Sequence, residues 1–241
     1  ILNFFDFFYQ KKIFRFLRNK NFNNFNIFFD VGAHKGESIK LFLKNFNVNK
    51  IYSFEASPIN FKKLTLEKKI FENIFKESEI IIENLALGSE NKNISLNQSD
   101  ESSSSTFNDI NYESNYFKKK QQLLKSEKNF FTEINVKMIT LDKYLLNSGI
   151  QQIDFLKIDT EGSEHLVING FLDILDREAV RLIQFEYGYA NGDAKFLMKD
   201  FFNFFEKKNY IVAKLRKKIK FKVWDYSFND FKSGPNYIAI R

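Results

Sequence analysis

Hydrophobic positions in the first half of the chain alternate between short apolar runs and amphipathic stretches. Ile27–Asp30 reads as a strand, Glu37–Asn45 as a helix and Lys50–Phe54 as a second strand. Pro58 suits a first helical turn and opens a helix over Ile59–Phe71, and EIIIEN at Glu79–Asn84 is a third, strongly apolar strand. This βαβαβ succession predicts a parallel sheet with helices on both faces. Asn93–Asn97 and Ile134–Leu141 read as two more strands, separated by a long polar stretch that holds Ser102–Ser105, NDINYESNYF and Lys118–Lys120. Regular alternation resumes with a strand at Ile153–Asp159, a helix at Ser163–Leu175, a strand at Val180–Glu186 and a Phe-rich helix at Lys195–Lys207. Antiparallel strands are expected around Tyr210–Leu215, Lys220–Trp224 and Asn236–Ile240. The N-terminal ILNFFDFFYQKKIFRFLRNK has apolar residues at helical spacing with Lys and Arg between them. The expected organisation is an amphipathic helical segment over residues 1–26, then one α/β domain over residues 27–241 with an insertion at residues 108–132.

Composition changes this picture in few places. There are 31 Phe, and Lys, Asn and Ile are also heavily used, all four having A/T-rich codons; the phenylalanines are therefore read mainly as core filler. The absence of cysteine excludes disulfides and thiolate metal sites, and two distant histidines, His34 and His165, argue against a histidine zinc site. A net charge of +7 tolerates anionic partners such as nucleic acid, acidic glycans or a membrane surface. No apolar run is long enough to span a bilayer, and the N-terminal segment lacks the small-residue cleavage site of a signal peptide, so a cytoplasmic setting is expected. That segment could lie on a membrane interface; the plainer reading packs its Phe face on the domain.

Ligands of open α/β sheets bind beyond the carboxyl ends of the strands. Those ends collect Asp30 and Gly32, Glu55, Asn84 to Ala86, Asp159 and Glu161, and Glu186. Acids there often only cap the next helix, which explains any one of them better than all together. Glu55 stands 25 residues after Asp30, where an acid can accept hydrogen bonds from both hydroxyls of a ribose. The loop Gly32-Ala33-His34-Lys35-Gly36 lacks the middle glycine that lets a backbone approach a pyrophosphate. The amino-acid tail of S-adenosylmethionine demands less: amides for its carboxylate, and an acid such as Asp30 or Asp159 near its ammonium. Spacing thus favours that cofactor over a dinucleotide.

The blocks DVGAHKGES, YSFEASPINFKKL, ENLALGS, SSSSTF, ITLDKYL, IDFLKIDTEGSEHLVINGF and LIQFE follow in order, and together they resemble the FkbM family of methyltransferases over about residues 27 to 186. The resemblance implies a class I, Rossmann-like fold with a mostly parallel seven-stranded sheet, an antiparallel C-terminal strand and helices on both faces. It implies S-adenosylmethionine as cofactor and O-methylation of hydroxyls on sugars, glycolipids or related natural products. It places Asp30, Gly32, Ala33, His34, Gly36, Glu55, Ala56, Asn84, Ala86, Ser104 and Asp159 around the cofactor. The family's Glu-Pro is here Glu55-Ala56-Ser57-Pro58, and His165 falls at a variable family position, so a surface place on its helix is expected.

Methyl transfer needs in-line attack by an oxygen and the loss of its proton. Asp159 is the candidate base, with Glu161 or Glu186 orienting the acceptor hydroxyl; the competing reading has Asp159 hold only the cofactor ammonium. Lys157 alternates with Asp159 on one strand and would need a carboxylate partner if buried. Oxygen ligands on neighbouring strand ends also suit Mg2+, although the ligand set is incomplete. The acceptor is expected to be selected by Asn108–Thr132 and by YGYANGD after Glu186. RNA ribose methylation, a nicotinamide-dependent oxidoreductase and a non-catalytic binding module are the alternatives.

Overall fold

The computed structural model describes residues 2–99, 105–108, 131–187, 196–214 and 236–241, with residues 2–9 described in backbone only. Ten strands and seven helices are described. In chain order they are α1 (Leu2–Asn19), β1 (Asn24–Val31), α2 (Glu37–Asn45), β2 (Asn47–Phe54), α3 (Pro58–Ile74), β3 (Glu79–Glu83), β4 (Ala86–Leu87), β5 (Lys92–Ser99) and β6 (Phe131–Ile139). They continue with α4 (Leu141–Ser148), β7 (Ile153–Ile158), α5 (Glu164–Asn169), α6 (Leu172–Asp176), β8 (Val180–Glu186), α7 (Met198–Lys207), β9 (Ile211–Lys214) and β10 (Asn236–Ile240). Seven strands form one sheet in the order β3-β2-β1-β7-β8-β10-β9, parallel except that β10 runs antiparallel to β8 and β9. The expected class I architecture is therefore present. The strands predicted from Asn93–Asn97 and Ile134–Leu141 lie in a separate three-stranded sheet, β4-β6-β5. The strand predicted at Lys220–Trp224 lies outside the described residues.

The sheet is covered on both faces, and phenylalanine supplies the bulk. Among the described residues the largest fully buried side chains are all Phe, twelve of them, in line with the core-filler reading. One face carries α1, α2 and α3, with Phe28 stacked on Phe42 at 4.2 Å between centroids. The other carries α4 to α7, with Phe185 stacked on Phe201 at 4.9 Å. Helix α1 turns Ile13, Phe14, Phe16 and Leu17 into the first of these clusters. Each such side chain contributes about 1.5–3 kcal/mol on burial, so these four are used by the protein core. Among the described residues no helix is long and apolar enough to cross a membrane.

Two boundaries differ from expectation, one for a local reason and one for a contact distant in sequence. The strand read to Leu141 ends at Ile139, because the Thr140 side chain accepts the Lys143 N–H at 3.2 Å and caps α4. The single helix read over Ser163–Leu175 is two, α5 and α6, interrupted at Gly170. A Cβ at Gly170 would lie 2.0 Å from the carbonyl oxygen of Gly88, so glycine is what lets this turn pass against the β4 end. The amides that open α6 are satisfied from a distance: Asp142 accepts from Asp173 and Ile174 at 2.9 and 3.0 Å.

Candidate active site

The loop after β1 is shaped by tight backbone conformations. Gly32 adopts φ 82°, and a Cβ there would lie 1.8 Å from the carbonyl oxygen of Asp159. His34 adopts φ 51°, the left-handed region, where His is tolerated better than most side chains. The place where a nucleotide loop has its middle glycine therefore keeps a glycine-like backbone. The loop amides already have acceptors inside the protein. Gly32 and Ala33 donate to the Phe54 carbonyl at 3.0 Å each, His34 to Glu55 Oε2 at 2.8 Å, Lys35 to Glu37 Oε2 at 3.2 Å and Gly36 to the Ala33 carbonyl at 2.8 Å. The expected cradle of free amides for a carboxylate is thus spent inside the protein, three of its amides on Phe54 and Glu55 at the end of β2 and two within the loop and the start of α2. Gly36 faces α3, where a Cβ would meet Phe71 and Leu64, and Ala33 is buried in the core.

A cleft with about 550 Å3 of empty space opens at the carboxyl ends of β1, β2 and β7. Of the residues singled out in the sequence, Gly32, His34, Glu55, Ala56, Ala86, Asp159 and Glu161 line it. Asn84 stands behind the lining and fixes it, its side-chain amide donating to the carbonyls of Glu55 at 2.8 Å and Ala56 at 3.2 Å. Ser104 lies outside the described residues. Its neighbour Ser105 lines the cleft and accepts from the Ser99 amide at 3.1 Å and the Gln98 side chain at 2.9 Å. Sequence reading missed Asn60 on α3, Leu96 on β5 and Phe107. It also missed Glu164, whose buried carboxylate gathers the Thr160 amide at 2.8 Å, the Thr160 hydroxyl at 3.2 Å and the Gly162 amide at 3.3 Å. Glu164, rather than Glu161, organises this turn. His165 is half-buried rather than on the surface, with its ring stacked on Phe196 at 5.2 Å.

Glu55 is almost wholly buried, and burial pushes its carboxyl up to about 7, against the pull of the Ser57 and His34 amides that donate to it. At the other end of the cleft a charged cluster follows from strand register. Asp30 on β1 pairs with Lys157 on β7, and residues two apart on a strand share a face, so Lys157 and Asp159 point together. Lys157 lies 3.4 Å from Asp30 and 3.0 Å from Asp159. One position beyond the β7–β8 pair Ile158–Phe185, Asp159 and Glu186 stand side by side at the strand ends. Asp30 is fully buried and does not reach the cleft; burial raises its carboxyl despite Lys157. For Lys157 burial works against the charge, but Asp159 and Asp30 outweigh it and hold the ammonium above the ordinary lysine range. Burial also opposes ionisation of Asp159, yet Lys157, and Glu186 beside it, hold it below the usual carboxylate range. Glu186 is driven well above that range by burial and then by Asp159. Asp159 is therefore the more acidic member of the pair and Glu186 the more basic one.

These residues fit S-adenosylmethionine better than a dinucleotide. Three carboxylates, Glu55, Asp159 and Glu161, line the cleft, and no Lys or Arg does among the described residues. A sulfonium and an ammonium find opposite charge here, while a pyrophosphate finds like charge; the amides of residues 32–36, all used internally, serve neither the pyrophosphate nor the carboxylate of the cofactor's tail. Ala56, Leu85, Ala86, Leu87, Leu96 and Phe107 supply apolar surface for a base. Among the described residues no group of three or more Asp, Glu or His is placed to hold a metal ion, so the sequence option of Mg2+ gains no support.

The family model described as the Methyltransferase FkbM domain matches residues 30–212. Among solved structures, the chain is similar to the methyltransferase FkbM of Methylobacillus flagellatus KT, with a TM-score of 0.55 and 12% identity over 90% of this chain and 43% of that one. The chain thus spans less than half the length of that protein. It is similar at a lower level to the precorrin-6y C5,15-methyltransferase of Geobacter metallireducens GS-15, with a TM-score of 0.44, 12% identity, and coverage of 91% and 81%. Fibrillarin of Aeropyrum pernix, solved with natively bound S-adenosyl-L-methionine, gives 0.38, 11%, 90% and 67%. No curated protein matches the chain in sequence. Fold and cleft define the class, the S-adenosylmethionine-dependent methyltransferases of class I. Within it, the chain belongs to the FkbM methyltransferase family.

Proposed function

We propose that this domain transfers a methyl group from S-adenosylmethionine to a hydroxyl oxygen of a saccharide or glycolipid. The observation that carries the reading is Asp159: an ionised carboxylate on the cleft wall, clamped between the Lys157 ammonium and the Glu186 carboxyl. When bound, the cofactor supplies an electrophilic methyl group. Glu55 would hold the ribose hydroxyls and Asp159 would receive the acceptor hydroxyl as a hydrogen-bond donor, turning an oxygen lone pair toward the methyl. The alcohol O–H becomes strongly acidic as its oxygen gains a third bond and takes on oxonium character, so even a carboxylate of depressed basicity can take its proton. Position matters more than base strength here. Glu161, on the same wall, is placed to orient a second hydroxyl of a polyol.

The segments expected to select the acceptor, residues 108–132 and the loop after Glu186, lie outside the described residues except at their ends. The saccharide assignment therefore rests on the family resemblance and on a cleft wall rich in hydrogen-bond acceptors. RNA fits less well, because no Lys or Arg lines the cleft to meet a phosphate among the described residues. Labelled methyl transfer against cell-envelope saccharides, glycolipids and RNA tests the proposal. Label in an alkali-stable ether of the glycan fraction is expected; label in RNA alone overturns the acceptor class.

A further inference from the structure

The cluster at the end of β7 is unbalanced. Three carboxylates, Asp30, Asp159 and Glu186, share one ammonium, that of Lys157, and Asp30 and Lys157 are buried at 0% and 2% exposure. The neighbouring charges do not correct this. Glu161 and Glu164 from the turn and α5 add negative charge beside Glu186, and Glu37 from α2 adds more beside Asp30. His34 offsets part of it near Asp159 and is itself paired with Glu37 at 3.2 Å. Glu55 adds a further carboxyl to the lining of the cleft. In this surplus of carboxylates around one buried ammonium, a proton on the Asp159–Glu186 pair and a cation beside it are alternative ways to meet the deficit of positive charge. A cation arriving at the Asp159 wall makes that proton unnecessary.

We propose that the Asp159–Glu186 pair is a proton-linked charge sensor: it releases its shared proton when cationic S-adenosylmethionine enters and takes one back from the acceptor hydroxyl during transfer. The inference rests on the cofactor assignment above. The balance is complete. The oxygen–methyl bond forms as the sulfur–methyl bond breaks, sulfur keeps the electron pair and becomes a neutral thioether, and the hydroxyl proton passes to the carboxyl pair. One positive charge leaves the cleft as a methyl cation equivalent and one returns as a proton. The pair thus ends each turnover in the protonation state that suits the neutral product S-adenosylhomocysteine, which is retained less strongly than the sulfonium cofactor by a dianionic pair.

The test is calorimetric titration of the full chain near neutral pH with S-adenosylmethionine and S-adenosylhomocysteine, each in phosphate and in Tris buffer. The buffers differ in ionisation enthalpy, so the heats report protons released. Both ligands place the same ribose against Glu55, so its ribose contact cancels in the difference between them, and Glu55→Gln, run beside the wild type, removes its response to the sulfonium charge. The expected result is about one more proton released by S-adenosylmethionine than by S-adenosylhomocysteine. In Glu186→Gln, which keeps a neutral hydrogen-bond donor and has no carboxyl proton to release, the difference should fall to near zero. Equal proton release by the two ligands in the wild type overturns the inference and leaves the cofactor assignment standing. A difference that survives Glu186→Gln also overturns it. Failure of both ligands to bind the wild type removes the cofactor assignment itself, and the inference with it.

Discussion

The backbone amide of His34 donates to Oε2 of Glu55 at 2.8 Å, tying the loop after β1 to the acid at the end of β2. The left-handed conformation at His34 is what turns this amide inward. The Ser57 amide donates to Oε1 of the same carboxylate at 2.8 Å, so both oxygens are aimed by backbone. Glu55 is thereby fixed at the cleft wall, at the cost of being nearly closed off from water.

That burial has two opposite pH consequences. The carboxyl is raised from 4.5 to about 7 in the folded protein, so between those values the folded state binds more protons than the unfolded chain. Stability from this group is then greatest at the acid end and is lost as pH rises toward 7, by up to about 3 kcal/mol. Cofactor affinity should move the other way, rising as Glu55 ionises and becomes an acceptor for both ribose hydroxyls. Urea unfolding and cofactor titration across this range should show both slopes in the wild type. Glu55→Gln should flatten both.

Gly32→Ala should destabilise the protein by about 2–5 kcal/mol. A positive φ and a Cβ placed 1.8 Å from the Asp159 carbonyl act together. Because that carbonyl belongs to the cleft-lining Asp159, cofactor affinity should fall in step with stability. A shift in the urea midpoint measures the first effect; an unchanged midpoint would show that β1 and β7 can separate freely here.

Lys157→Met should cost about 3–5 kcal/mol by leaving buried carboxylates without their cation. The loss should be larger at about pH 8 than at about pH 5, since protons can replace the ammonium only where they are available. Adding Asp30→Asn should restore part of the stability at the higher pH. Equal losses at both pH values would contradict the charge balance assigned to the cluster.

This cluster was only half legible in the sequence. Lys157 and Asp159 share a face by the two-residue period of a strand, and a buried lysine demands an acid; that much is local. That Asp30 meets Lys157 depends on the register of β1 against β7, which no local pattern states. Asn60, Leu96 and Phe107 reach the cleft from three separate elements, and nothing in their own neighbourhoods marks them. Helix α4 is a different kind of miss. Its signals were present in Thr140, Asp142 and Gly149, but the apolar run of β6 leads straight into it. The break at Gly170 was hidden because its cause, the Gly88 carbonyl, is 82 residues away in sequence.

Asp159→Asn should lower methyl transfer by roughly 100- to 10,000-fold, the range expected when a positioned proton acceptor is lost. Binding of S-adenosylhomocysteine, which lacks the sulfonium charge, should change little. Single-turnover kinetics beside binding isotherms separate the two. Near-normal turnover would remove Asp159 from the role of proton acceptor.

The central claim is that a cleft walled by Glu55, Asp159 and Glu161 receives a cationic sulfonium cofactor and rejects a pyrophosphate. Calorimetric titration of the purified chain with S-adenosylmethionine and with NAD measures this most directly. Saturable binding of S-adenosylmethionine, lost in Glu55→Ala, with no heat from NAD is the predicted result. Saturable binding of NAD, or none of S-adenosylmethionine by the wild type, would contradict it.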